Sequence, residues 1–158
     1  GEGSEFVFRI PFKIAVVKEN DDKNERQQSI RSLEGKKILL VEDNDINMEI
    51  AEFYLTDAGI QVEKAWNGKE AVEKFAASEL GHYDAVMMDI MMPVMDGIES
   101  AKQIRALERK DAKKIPILAM TAQSAEESKE SCGQAGMNGY ISKPVDPDRL
   151  KEILGNCI

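Results

Sequence analysis

From Gly35 to its end the sequence alternates between two periodicities, and this restricts the chain to a narrow set of folds. Short strand-like runs occupy 38–41 (ILLV), 61–65, 84–88, 115–120 and 139–142. The first is continuous and rich in branched residues, as in a strand buried on both faces of a parallel sheet, and the fourth has Pro116 near its start. Between them lie segments of helical spacing. Ile46, Ile50, Phe53 and Tyr54 lead to a stop at Ala58-Gly59. Asn67 and Glu70 resemble a capping box ahead of Ala71, Val72 and Phe75. Residues 97–108 carry Ile98, Ala101, Ile104, Arg105 and Leu107, and 124–135 form a polar helix with Ser124 and Glu127 as a second box and Gly136 as its stop. Asp146 caps a last helix with Pro147 at its first position, and Leu150, Ile153 and Leu154 form its apolar stripe. Five strands alternating with five helices imply right-handed βαβ units: a five-stranded parallel sheet with helices on both faces.

The preceding residues follow other rules. In 1–17 Phe6, Phe8 and Ile10 alternate with Glu5, Val7 and Arg9, a strand-like period of two, with Pro11 near its end. Residues 18–35 are read as a linker, because Ile30 and Leu33 are the only large apolar residues in a strongly charged stretch. The whole chain of 158 residues carries 21 basic and 29 acidic side chains, a net charge of −8. Such a chain repels phosphate backbones and anionic membrane surfaces, which argues against nucleic acid or direct membrane contact. No apolar stretch is long enough to span a bilayer, and a cytoplasmic location is expected, with the parent protein anchored at a membrane or not. Cys132 and Cys157 have neither metal-site nor disulfide spacing and read as free thiols. The single His82 excludes multi-histidine metal sites and the usual catalytic triads.

The chemistry is therefore left to carboxylates, and position separates the few that matter. In parallel α/β sheets ligands bind outside the carboxyl ends of the strands. Here the first strand is followed by Glu42-Asp43, the third by Asp89, the fourth by Thr121 and the fifth by Lys143-Pro144. Clustered carboxylates need a countercharge, and Mg²⁺, a hard cation that takes oxygen ligands, is the natural one. Lys143 supplies a point charge for a phosphoryl group or a carboxylate, and Thr121 a hydroxyl donor. Asp89 is the candidate nucleophile, through an aspartyl phosphate. Met87, Met88, Met91, Met92 and Met95 are read as core and loop packing rather than a thioether metal site.

These segments resemble the receiver domain of two-component phosphorelay proteins, the response-regulator or CheY-like domain, whose fold is the flavodoxin-like (βα)5 arrangement. The matching stretches are ILLVEDNDIN at 38–47, YDAVMMDIMMPVMDG at 83–97, ILAMTA at 117–122 and GYISKPV at 139–145, within a domain read as 36–158. The resemblance implies Asp89 as phosphoacceptor. It implies Asp43 and Asp89 as Mg²⁺ ligands, with Glu42 acting through water or more weakly and the Met91 carbonyl as a main-chain ligand. Thr121 and Lys143 would contact the phosphoryl oxygens, and Tyr140 matches an aromatic switch position. Pro93, Asp96 and Gly97 would shape the loop after the phosphorylated strand. The Glu42-Asp43 pair departs from the commoner pair of aspartates. Met91 and Gln123, beside the site, carry no charge to activate water, so a long-lived phosphoryl group is expected.

GEGSEFVFRIPF at 1–12 resembles the end of the ATP-binding domain of sensor histidine kinases. Ahead of a linker and a receiver, it implies a hybrid histidine kinase of which this chain is a fragment, with no ATP binding or kinase activity of its own. The expected role is to accept a phosphoryl group from a kinase phosphohistidine and pass it to a histidine phosphotransfer protein, on a surface around the first helix. Alternatives are a stand-alone response regulator, a receiver-like docking module that is not phosphorylated, and a small haloacid-dehalogenase-type phosphohydrolase. That last family usually carries a second aspartate two residues past the first, where this chain has Met91.

Overall fold

The computed structural model describes residues 33–122 and 125–158. The expectations for 1–32, the Ser124 cap and Gln123 lie outside the described residues. Strands β1 (Lys37–Val41), β2 (Gln61–Ala65), β3 (Ala85–Asp89), β4 (Ile117–Thr121) and β5 (Gly139–Ser142) form one sheet in the order β2-β1-β3-β4-β5. Every neighbouring pair is parallel. Helices α1 (Asp45–Asp57), α2 (Gly68–Ala77), α3 (Gly97–Ala106), α4 (Ala125–Gln134) and α5 (Pro147–Cys157) alternate with the strands.

The alternation of side chains along each strand splits the interior into two cores. Leu39, Val41, Val86, Met88, Ile117 and Ala119 share one core with Phe75 of α2 and Ala101 and Ile104 of α3. Ile38, Leu40, Met87, Leu118 and Met120 share the other with Met48 and Leu55 of α1 and Leu150 and Leu154 of α5. All residues of β3 and β4 are buried, as a doubly covered parallel sheet requires. Leu33, at the edge of the segment read as linker, is wholly buried in the second core, and Gly35 N–H donates to Gly59 O at 2.9 Å. The packed unit thus reaches back at least to Leu33.

Three local readings change. In α1 the residues facing the sheet are Met48, Ala51 and Leu55, while Ile46 (68% exposed), Ile50 and Phe53 (65% exposed) face outward. The helix carries two apolar stripes about two residues out of phase, roughly 200° apart at 100° per residue, and the sheet accepts the one containing small Ala51. Asn67 caps α2 through Glu70 N–H at 2.9 Å, but the return arm lands one residue early, Glu70 Oε2 accepting from Trp66 N–H at 2.9 Å. Helix α3 ends at Ala106 rather than at Glu108. Past it, Arg109 lies 4.6 Å over the Phe75 ring and donates to the Ser78 and Glu79 carbonyls at 3.0 Å, satisfying acceptors beyond the end of α2. The same guanidinium bonds Asp111 and holds its carboxyl well below the usual carboxylate range. Among the described residues no helix is long and apolar enough to cross a membrane.

Candidate functional site at the sheet's carboxyl edge

The strand order reverses between β1 and β3, so their chain continuations diverge and leave a crevice at the carboxyl edge. Register decides what fills it. Val41 pairs with Met88, which puts Glu42 and Asp43 beside Asp89. Asp89 pairs with Met120, and Thr121 with Ser142, which brings Thr121 and Lys143 to the same edge. Backbone bonds fix this convergence: Lys143 N–H donates to Thr121 O at 2.7 Å and Ile90 N–H to Met120 O at 3.2 Å.

Glu42 is 1% exposed and Asp89 6% exposed, so both carboxylates need partners. Lys143 Nζ provides one to each, 2.6 Å from Glu42 Oε2 and 2.6 Å from Asp89 Oδ2. Asp89 Oδ1 accepts from Met91 N–H at 3.1 Å. Asp43 is exposed. Carboxylate oxygens of Glu42, Asp43 and Asp89 lie within 4.8 Å of one another. Three carboxylates and one ammonium leave an excess of negative charge, and the oxygen-only donor set fits a hard divalent cation. Thr121 is buried at the end of β4, and Tyr140 is half-buried, packed against the core shared with α2 and α3. The sequence expectation thus finds Glu42, Asp43, Asp89, Thr121 and Lys143 at one edge, with Tyr140 on the neighbouring strand.

The loop after β3 is held by three devices. Pro93 is followed by Val94 at φ 71°, a left-handed conformation that is unusual for a branched side chain. Asp96 caps α3, its Oδ1 accepting from Glu99 N–H at 2.8 Å. Gly97 N–H donates to Ile90 O at 3.0 Å, bringing the start of α3 onto the end of β3. The methionines divide accordingly: Met87, Met88 and Met92 are buried, whereas Met91 is exposed on the loop. Cys132 and Cys157 are free thiols.

One contact has no sequence signal. Asn47, in the first turn of α1, donates from Nδ2 to Glu42 Oε1 at 3.1 Å. Nothing in the spacing of Glu42 and Asn47 announces this, because it depends on how α1 turns back over the end of β1.

Comparison with known proteins agrees with this geometry. The family model described as the response regulator receiver domain matches residues 38–155. The osmosensing histidine protein kinase SLN1 of Saccharomyces cerevisiae is 39% identical over 144 residues, covering 89% of this chain and 11% of that protein. Probable histidine kinase 6 of Oryza sativa is 34% identical over 160 residues, covering 90% of this chain and 16% of its own length. This chain therefore spans less than a fifth of those relatives. Among solved structures, the receiver domain of sensor histidine kinase PA1611 from Pseudomonas aeruginosa, with a magnesium ion coordinated in its active site cleft, superposes with a TM-score of 0.70 at 38% identity. That match covers 78% of this chain and 97% of the other. The receiver domain of Saccharomyces cerevisiae Ssk1, solved with the histidine phosphotransfer protein Ypd1, matches with a TM-score of 0.68 at 33% identity, covering 77% of this chain and 88% of that one. Family model, sequence relatives and fold thus agree, and the chain belongs to the response regulator receiver domain family, with relatives among the receivers of hybrid histidine kinases.

Proposed function

We propose that this receiver accepts a phosphoryl group from a kinase phosphohistidine onto Asp89 and passes it to a histidine phosphotransfer protein. The observation that carries the reading is the sheltered Asp89 carboxylate at the end of β3, with Lys143 Nζ at 2.6 Å and two further carboxylates close by. In the transfer, an Asp89 oxygen forms the new P–O bond as the donor's P–N bond breaks, and the electron pair returns to the imidazole nitrogen. Phosphoryl transfer needs mainly positioning and stabilised charge. Lys143 offers an ammonium beside the attacking carboxylate, and the buried Thr121 offers its hydroxyl at the same edge. Asp43 and Asp89, with the Met91 carbonyl, would hold Mg²⁺, which when bound supplies positive charge to the phosphoryl oxygens. Tyr140, half-buried on β5, is assigned the part of a switch that follows Thr121.

The partner reading rests on α1. Ile46, Ile50 and Phe53 present an exposed apolar stripe next to the acidic edge, as a surface that receives another protein would. The Ssk1 receiver, similar to this chain, was solved with a histidine phosphotransfer protein. A parent hybrid histidine kinase is proposed on the strength of the relatives. The test uses the chain labelled at Asp89 by a small phosphodonor and then mixed with purified Ypd1. Label is expected to move to Ypd1, and Phe53→Glu is expected to slow this by about tenfold. Label that stays on the chain in the presence of Ypd1, or transfer unchanged by Phe53→Glu, would contradict the partner reading.

A further inference from the structure

We propose that Asn47 is a positioning residue for phosphoryl transfer: by holding Oε1 of Glu42 it leaves Oε2 to anchor Lys143 beside Asp89. The inference rests on the phosphoacceptor reading above. Glu42 is among the most deeply buried charged groups described, and its oxygens have separate partners. Oε1 accepts from Asn47 Nδ2 at 3.1 Å and, at 3.4 Å, from Asn44 N–H. Among the described residues, Oε2 accepts a 2.6 Å bond from Lys143 and no other. The Asn44 contact is long, so the Asn47 amide is the principal group that fixes the rotation of the carboxylate. Rotation of Glu42 would carry Oε2 away from Lys143, whose other partner is Asp89 itself.

Asn47 is itself well placed. Asn44 Oδ1 accepts from the backbone N–H of Ile46 and of Asn47, each at 3.1 Å, which locks the first turn of α1. The Asn47 side chain turns from that turn back to the end of β1. Strand end, helix start and the β5 lysine are thereby tied through one carboxylate. With Oε1 held by N–H donors and Oε2 by an ammonium, the orientation of Glu42 is fixed by the protein itself. Asn47 also lines, with Ile50, Pro144 and Val145, the cleft between α1 and the loop after β5. A partner seated on α1 would thus touch the residue that holds Glu42.

The experiment measures labelling by acetyl phosphate at saturating Mg²⁺, together with binding of Mg²⁺ alone by calorimetry and thermal unfolding. Asn47→Leu is expected to lower the maximal labelling rate by about tenfold, with a smaller change in the Mg²⁺ dissociation constant, since Asn47 bonds none of the proposed ligands Asp43, Asp89 and the Met91 carbonyl. Asn47→Asp, which sets an acceptor against Glu42 Oε1, is expected to lower the rate further. In a Glu42→Gln background Asn47→Leu is expected to add nothing, because its effect runs through that carboxylate. Normal wild-type labelling with an unchanged rate in both Asn47 variants would overturn the inference and leave the site reading standing. A full loss that persists in the Glu42→Gln background, or a parallel loss of Mg²⁺ affinity and stability, would overturn it as well. A wild type that takes no label at all would overturn the site reading, and this inference with it.

Discussion

Replacing Gly97 by alanine is expected to destabilise the domain by about 3 kcal/mol and to remove most of its capacity to be phosphorylated. A Cβ at this position would stand 2.2 Å from the carbonyl oxygen of Asp89 and 3.0 Å from Cα of Ile90. Both obstacles are backbone, so no side-chain rotation relieves the overlap. The start of α3 is bonded to the same place, Gly97 N–H donating to Ile90 O at 3.0 Å. Helix and strand end must therefore separate, and the strand end carries Asp89. Lost stability and lost chemistry share one cause here. Denaturant unfolding of the variant measures the first and phosphodonor labelling the second. A destabilisation under about 1 kcal/mol with normal labelling would show that the β3–α3 contact is not as close as described.

Lys143→Ala is expected to destabilise the domain more without a divalent cation than with one, and to lose phosphoryl acceptance in both conditions. The ammonium lies 2.6 Å from each of two buried carboxylates. Its removal leaves Glu42 and Asp89 facing each other without a countercharge, and breaking a buried pair in this way costs about 3 kcal/mol. Mg²⁺ replaces the missing positive charge, so the stability loss seen in chelator is expected to shrink when Mg²⁺ is added. Phosphoryl acceptance is not expected to be rescued, because the ammonium beside the attacking Asp89 carboxylate is lost with the side chain. A drop of about a hundredfold in labelling rate is expected even at saturating Mg²⁺. Equal destabilisation with and without Mg²⁺, or labelling near the wild-type rate, would contradict the assigned role of Lys143.

Much of the site is legible in the sequence, for a physical reason. Strands buried on both faces are continuous apolar runs, so their ends are sharp, and in a parallel sheet all carboxyl ends share one edge. Glu42, Asp43, Asp89, Thr121 and Lys143 follow from counting those ends. What the pattern leaves open depends on how helices settle on the sheet. Ile46, Ile50 and Phe53 have the spacing of a core face, yet Met48, Ala51 and Leu55 take that place, because either stripe satisfies a helical period. The exposed stripe of α1 thus consists of the same residues whose spacing suggests burial. Leu33 reads as an isolated apolar residue in a charged segment, and only the packed fold shows the core receiving it. The Asn47–Glu42 bond and the shifted arm of the Asn67 cap are side-chain choices made after the backbone is in place, so spacing alone does not foretell them.

The carboxyl edge of this sheet is proposed as a phosphoacceptor site with Asp89 as its nucleophile. Labelling of the intact chain by acetyl phosphate in Mg²⁺, wild type beside Asp89→Asn and read by mass, tests it directly. One added phosphoryl group is expected on the wild type, lost when Mg²⁺ is chelated before labelling, and none on the variant. A wild type that gains no phosphoryl group, or an Asp89→Asn chain labelled to the same extent, would contradict it.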